Sequence, residues 1–428
     1  MDTTTPHPAP AGPAPLTVEE GRLGAVLVEG GMPVAEQLLL ASGLDDLVGD
    51  LDERLAAAGS VQDAAAVVVQ AGRRLWETAV ARAQGRGGPG VGGDDPHGAG
   101  AAGLDLYDDR PLYWARTAMS ARLRTSTSPH LTTSHQRFAL LHLLDRASRG
   151  IDRPPWPAGD PSATRVMVSG FDTFQLDLSV RHSNPSGAAA LQLDGRVLDT
   201  PHGQVVVRAV ILPVNYTDFD QGVVEDAFGP VLRPGADRAH LITTISMTSR
   251  GRMDIEKWAA NTRGGAPDNN LNQHFGPVSR ASHWPQPFDS PDWIETTLPY
   301  GAMIDAGTRP WPVVLKQGIR EWPAGTFPDP AALRALPDPT PGSTAAAGTG
   351  GDYLSNESMY RSNRLRRALH AWDVPGGHLH ISSLEYPDDP AALADAAFEA
   401  DRRAVVDQTV ALVEAAAAAV AAGRARAR

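Results

Sequence analysis

Cysteine is absent from the 428 residues, which excludes disulfides, thiolate metal sites and a cysteine nucleophile. Also missing is any apolar run that approaches the length of a membrane span. The start, Met1 to Pro15, has neither a basic region nor an apolar stretch. It reads as a disordered tail rather than a signal peptide, and a cytoplasmic location is expected. Positive charge is in short supply. At a net −12, the chain has no broad attraction for nucleic acid or anionic membranes, so neither is expected as a partner. The clearest basic cluster, Arg361 to Arg367, reads as a solvated helix face.

What is present divides into two textures. An apolar share of 42% supports a real core, and the length predicts two domains or one with a large extension. Residues 16–150 read as a helical N-terminal region. Its first part runs from Leu16 to about Ala83, and further helices are predicted over Arg110–Arg124 and Thr133–Ser148. The Gly-rich run at 85–103 has no strand before it and no apolar helix directly after it, so it is a linker and not a nucleotide loop. A proline-rich stretch, Asp152–Ala163, marks the domain boundary.

From 164 to 428 strands and helices alternate. Arg165–Gly170, Gln204–Pro213 and Ala239–Ser246 read as strands, and Ser186–Leu193 and Phe219–Leu232 as helices between them. That order predicts an α/β domain with a mainly parallel sheet. Pro390–Ala422 reads as a long Ala-rich helix packing across the sheet, with a frayed Ala417–Ala422 end. Residues 270–348, rich in proline and tryptophan, read as ordered loops with short elements.

Five segments in this second region, taken in order, resemble the pyroglutamyl-peptidase (pyrrolidone-carboxylate peptidase) family. Val168-Ser-Gly-Phe-Asp-Thr-Phe, followed by Asn184-Pro-Ser, is similar to the family's Gly-Phe-x-Pro-Phe-Gly-Gly loop and Asn-Pro-Ser helix start. Ile211-Leu-Pro-Val resembles a strand ending in Pro-Val. Ile255-Glu-Lys-Trp-Ala-Ala-Asn with Pro267-Asp-Asn resembles the segment that supplies a catalytic glutamate. Gly350-Gly-Asp-Tyr-Leu-Ser-Asn resembles the nucleophile turn, with serine where the family has its cysteine. Gly376-Gly-His-Leu-His-Ile resembles the segment that carries the catalytic histidine.

The resemblance implies a three-layer α/β/α sandwich with a mainly parallel twisted sheet (phosphorylase/hydrolase-like), the site lying at the carboxyl ends of the strands. It assigns Ser355 as nucleophile, His380 as base and Glu256 as the acid that orients the imidazole, a complete set for acyl transfer. Gly350, Gly351 and the N–H groups after Leu354 would form the oxyanion site. Phe171 and Phe174 match the ring pair that sandwiches the pyroglutamyl ring. Leu354 would line the same pocket, and Ser246 opens the segment matching the family's lactam-binding Gln-Ala-Gly-Gly-Arg. That match survives only at Arg250, and Gly265 stands where the family has an arginine, with Arg263 close by.

The implied reaction removes an N-terminal pyroglutamyl or related cyclic amide group from a peptide or small cyclic-amide substrate, with no cofactor. His378 and His380 make a His-x-His pair, but no other ligand cluster has metal spacing, and no metal is expected. Family members often form a homo-oligomer, whose contacts the N-terminal extension would block or replace. The alternative function is a catalytically inactive binding or regulatory protein that keeps the pocket.

Overall fold

Alternation of apolar and polar residues builds the centre of the protein. In the computed structural model, which describes residues 14–86, 104–128, 130–131, 133–154, 156 and 162–427, seven strands form one sheet. The expected tail (all but Ala14 and Pro15), the Gly-rich linker (all but Gly85 and Arg86) and part of the proline-rich break lie outside the described residues. In chain order the strands are β1 (Thr164–Phe171), β2 (Val197–Thr200), β3 (Gly203–Leu212), β4 (Leu241–Met247), β5 (Met253–Glu256), β6 (Val313–Lys316) and β7 (Gly376–Ile381). Across the sheet they run β6-β5-β7-β4-β1-β3-β2. β1 pairs in parallel with β3 and β4, β7 with β4 and β6 with β5. β7–β5 and β2–β3 are antiparallel. The fold is mixed α/β with a mainly parallel sheet, as the pattern predicts.

Helices precede the sheet and cover both faces. The N-terminal region supplies α1 (Val18–Gly21), α2 (Val34–Ser42), α3 (Asp45–Ala57), α4 (Val61–Ala83), α5 (Arg110–Thr125) and α6 (Ser134–Ser148). Local chemistry sets their ends. Thr133 caps α6 by accepting from Gln136 N at 3.1 Å, while the Gln136 side chain accepts from Thr133 N at 3.0 Å, a reciprocal capping box. After β1 comes α7 (Pro185–Leu193), started by Asn184, whose side chain accepts from Ser186 N at 3.1 Å. The single helix predicted over Phe219–Leu232 is two, α8 (Tyr216–Asp220) and α9 (Val223–Leu232). Gly222, at φ 84° between them, sits in left-handed backbone that ends one and starts the other. The remaining helices are α10 (Tyr300–Asp305), α11 (Leu354–Ala368) and α12 (Ala396–Ala427).

Burial distributes these pieces into layers. Val166, Val168, Leu241, Ile245, Met253, Ile255, Leu379 and Ile381 face one way, into a core shared with α4, α7 and α12. The N-terminal helices and one sheet face therefore form a single apolar cluster. Each such fully buried side chain is worth about 1.5–3 kcal/mol relative to exposure. On the opposite face, Met167, Phe171, Val210, Leu212 and Ile242 pack with α9 and α11.

Two expectations need correcting here. The Arg361–Arg367 cluster is not a solvated face: Arg361, Arg364 and Arg366 are buried. Arg361 bonds Glu357 through Nε at 2.7 Å and Glu225 through Nη1 at 2.9 Å, and Arg263 reaches Glu357 at 2.6 Å and Asp220 at 2.5 Å. Buried carboxylates on α9 and α11 are the partners that composition alone does not reveal. The second concerns the closing helix. It starts at Ala396 and continues beyond Ala422 to Ala427. By length and composition Ala396–Arg426 is apolar enough to cross a membrane, with 56% of its most apolar window buried inside the protein. Alanine-rich stretches bury as tightly packed helix, so the apolar run was longer than the branched residues alone suggest.

Residues 258–347 hold short ladders: Trp258–Ala260 with Trp293–Glu295, Arg263–Gly264 with Phe275–Gly276, and a three-stranded sheet of Ile319–Trp322, Arg334–Leu336 and Thr344–Ala347. The first of these ladders packs against α11.

Candidate active site

Strand geometry puts the polar residues on one face. Side chains alternate along a strand, so His378 and His380 on β7, Asp254 and Glu256 on β5, and Thr244 and Ser246 on β4 all point to the α11 side. Register brings them level, with His378 opposite Glu256 and Thr244, and His380 opposite Asp254 and Ser246. The acid and the base meet diagonally, His380 Nδ1 lying 2.5 Å from Glu256 Oε1. Both residues are buried. Burial pushes the Glu256 carboxyl up, but the charge and hydrogen bond of His380, with Lys316 and Thr349, hold it below its ordinary value. A carboxylate so held can fix the imidazole tautomer with Nε2 left to take a proton.

Ser355 is the second residue of α11 and is half-buried. Its turn comes down over the acid–base pair. A Cβ built on Gly350 would sit 3.0 Å from His380 Cε1 and 3.3 Å from Glu256 Cδ, so the backbone there lies against the imidazole as closely as a residue without a side chain allows. The next residue but three, Leu354, starts the helix, and Asn356 ties it down, accepting from Ala260 N and donating to Ala260 O, each at 2.9 Å. The first-turn N–H groups of α11 have no intrahelical acceptor and carry the positive end of the helix dipole. Among the described residues, Ser355 Oγ makes no hydrogen bond to His380.

A cavity of about 90 Å³ opens beside Ser355, lined by Phe171, Phe174, Ser246 and Leu354 together with Asn184, Val214, Met247 and Tyr353. All four residues expected to line the substrate pocket are therefore in one wall. The two aromatics do not stack on each other; Phe171 stacks on Phe219, ring centroids 6.1 Å apart. Glu256 and His380 are absent from this lining and sit behind it.

Other expected positions lead elsewhere. Gly265 has φ 80°, and a Cβ there would come within 2.1 Å of the exposed Phe275 ring, so a side chain at that position meets strained backbone and has to displace that ring. Arg263 is consumed by Glu357 and Asp220 and lies over the Tyr216 ring at 5.1 Å. Arg250 reaches the surface carboxylates of Asp401 at 2.6 Å and Glu385 at 2.8 Å, away from the cavity.

One residue of the site was read only as half of a His-x-His pair. His378 is buried with its Nδ1 2.7 Å from Thr244 Oγ1 and its Nε2 2.8 Å from Ser246 Oγ. Burial, then His380 and Lys316, push its imidazole well below the ordinary value, so it is neutral, with one nitrogen donating and one accepting. Its ring lies edge-on to that of His380 at 4.6 Å. Period-two spacing beside the base was the available signal. Lys316, 3.8 Å from Glu256 Oε1, had none.

Comparison with known proteins adds relatives. The family profile described as PA0049 N-terminal domain matches residues 3–145, and that described as PA0049, C-terminal domain, matches 165–286 and 314–385. The chain is 32% identical over 510 aligned positions to Uncharacterized protein PA0049 of Pseudomonas aeruginosa, covering 94% of this chain and 89% of that protein. In structure it is weakly similar to pyroglutamyl peptidase I of Bacillus amyloliquefaciens, with a TM-score of 0.39 and 18% identity over 60% of this chain and 97% of that one.

Proposed function

The chain belongs to the PA0049 family, and for this member of it we propose a hydrolase that releases an N-terminal pyroglutamyl or related cyclic amide group through Ser355, His380 and Glu256. One observation carries the reading. A buried imidazole–carboxylate pair at 2.5 Å sits under the turn that presents a half-buried serine to a small aromatic-walled cavity. Ser355 Oγ attacks the amide carbonyl and passes its proton to His380 Nε2, while Glu256 stabilises the imidazolium. N–H groups of the α11 first turn stabilise the oxyanion. Collapse of the tetrahedral adduct returns the proton to the leaving amine, and water then releases the acyl group by the same route.

Hydrolysis of a pyroglutamyl–naphthylamide reporter and fluorophosphonate labelling at Ser355 are the expected results. Folded protein silent in both assays overturns the reading. A second reading, a binding protein that keeps the pocket, is favoured by the absent Ser355–His380 hydrogen bond. Loose geometry before substrate arrives is also compatible with catalysis. Ser355→Cys separates the two: peptidase activity appearing only in that variant makes the natural protein a binder.

A further inference from the structure

A second cavity, of about 460 Å³, lies between the N-terminal helices and the ends of β1 and β3. None of its lining residues lines the cavity at Ser355. We propose that it binds a free α-amino acid with an apolar side chain, whose carboxylate meets Arg116 and whose ammonium meets Asp218.

Three observations converge, independently of the hydrolase reading. First, Arg116 is buried and commits Nε to Ser148 Oγ at 3.2 Å and Nη1 to both oxygens of Asp172 at 2.7 and 2.9 Å, yet Nη2 has no hydrogen-bond partner. A buried guanidinium N–H without an acceptor is costly, and an incoming carboxylate oxygen supplies one through a single charge-assisted bond at Nη2. Second, the cavity is short of cations, with Glu19, Glu20, Asp145, Asp172 and Asp218 facing three arginines. Asp145 has Arg149 at 2.6 Å and Arg146 at 2.8 Å, Asp172 also has Arg149 at 2.6 Å, and Glu20 has Arg124 at 2.6 Å. Among the described residues nothing bonds the Asp218 carboxylate. Burial and the neighbouring Asp145 push that carboxyl up to about 7, the behaviour of an acid lacking its cation. Third, the wall includes two exposed apolar side chains, Val18 at 47% and Phe138 at 52% exposure, beside Leu141. An unpaired donor, an unpaired acid and an apolar margin describe a zwitterion with a hydrocarbon side chain.

Calorimetric titration of the full chain with L-leucine tests this, alongside 4-methylpentanoate, which lacks the ammonium, isoamylamine, which lacks the carboxylate, and glycine, which lacks the side chain. Saturable leucine binding is expected, with each analogue weaker by about tenfold or more, or roughly 1.4 kcal/mol. Asp218→Asn and the partly exposed Phe138→Ala, both checked for folding by circular dichroism, should each weaken leucine by about the same factor. Absence of leucine binding overturns the proposal, as do analogues that bind equally well. So does retained binding in Asp218→Asn with loss in Phe174→Ala, which places the amino acid in the other cavity.

Discussion

The two faces of the central sheet are made from the same strands and share nothing else. Toward α7 and α12, β4, β5 and β7 present Leu241, Ile245, Met253, Ile255, Leu379 and Ile381. Toward α11 the alternate residues are Thr244, Ser246, Asp254, Glu256, His378 and His380, all buried. An apolar face tolerates no unpaired polar atom and needs none. The other must find partners for what it buries: His378 lies between two hydroxyls and His380 on Glu256, while one oxygen each of Asp254 and Glu256 has no hydrogen-bond partner among the described residues. Period two thus lets one strand serve as core and as chemistry. On the proposed reading the apolar row serves chiefly stability and the polar row the chemistry.

That division can be broken by experiment. The largest effect is expected for Ser355→Ala, which should lower turnover of the pyroglutamyl reporter by about 10⁴-fold or more with an unchanged unfolding midpoint. Activity within tenfold of the wild type would mean the nucleophile lies elsewhere. Next, Arg361→Ala takes one cation from each of Glu357 and Glu225, leaving them Arg263 at 2.6 Å and Arg364 at 3.4 Å, and should cost no more than roughly 3–5 kcal/mol in urea unfolding. On the apolar face, Leu379→Ala should cost about 2–5 kcal/mol, yet per folded molecule leave the reporter rate within about twofold. His378→Phe, one residue away on the other face, should reverse that balance: about 1–3 kcal/mol from the abandoned Thr244 and Ser246 hydroxyls, and a raised KM as Ser246 loses its anchor. If both substitutions shift KM alike, the separation of roles fails.

A smaller effect depends on pH. Because Glu256 is held below its ordinary value in the folded state, its contribution is fully present above the unfolded value of about 4.3. It is lost as pH falls through the folded value. Urea unfolding near about pH 6 and about pH 3 should therefore show a loss on acidification that Glu256→Gln lacks in part. The smallest effect belongs to Arg250→Ala, whose surface ion pairs are worth about 0–1 kcal/mol and whose removal should leave the reporter rate unchanged.

Much of the fold was legible in order and spacing. Thr164–Phe171 and Gly203–Leu212 stand within a residue of the expected strands, because strands buried on both faces read as unbroken apolar runs. Met253–Glu256 and Val313–Lys316 escaped notice: strands of four residues are too short to show a period. Gly222 divided a helix whose apolar pattern runs through it, since a hydrophobic pattern records which side is buried and not where the backbone turns. The arginines of α11 were misread for a related reason. Their charge is local, but their partners Glu225 and Asp220 are more than a hundred residues away in sequence.

By itself the sequence determined the α/β alternation, the helical N-terminal region and which residue types were available for acyl transfer, because propensity, periodicity and side-chain chemistry are local properties. Only the tertiary structure decided that His380 meets Glu256, that His378 is spent on hydroxyls, that Arg263 is tied up in ion pairs and that a charged cavity lies behind β1. Each of these depends on distances between remote segments, and those distances are set by how the layers pack.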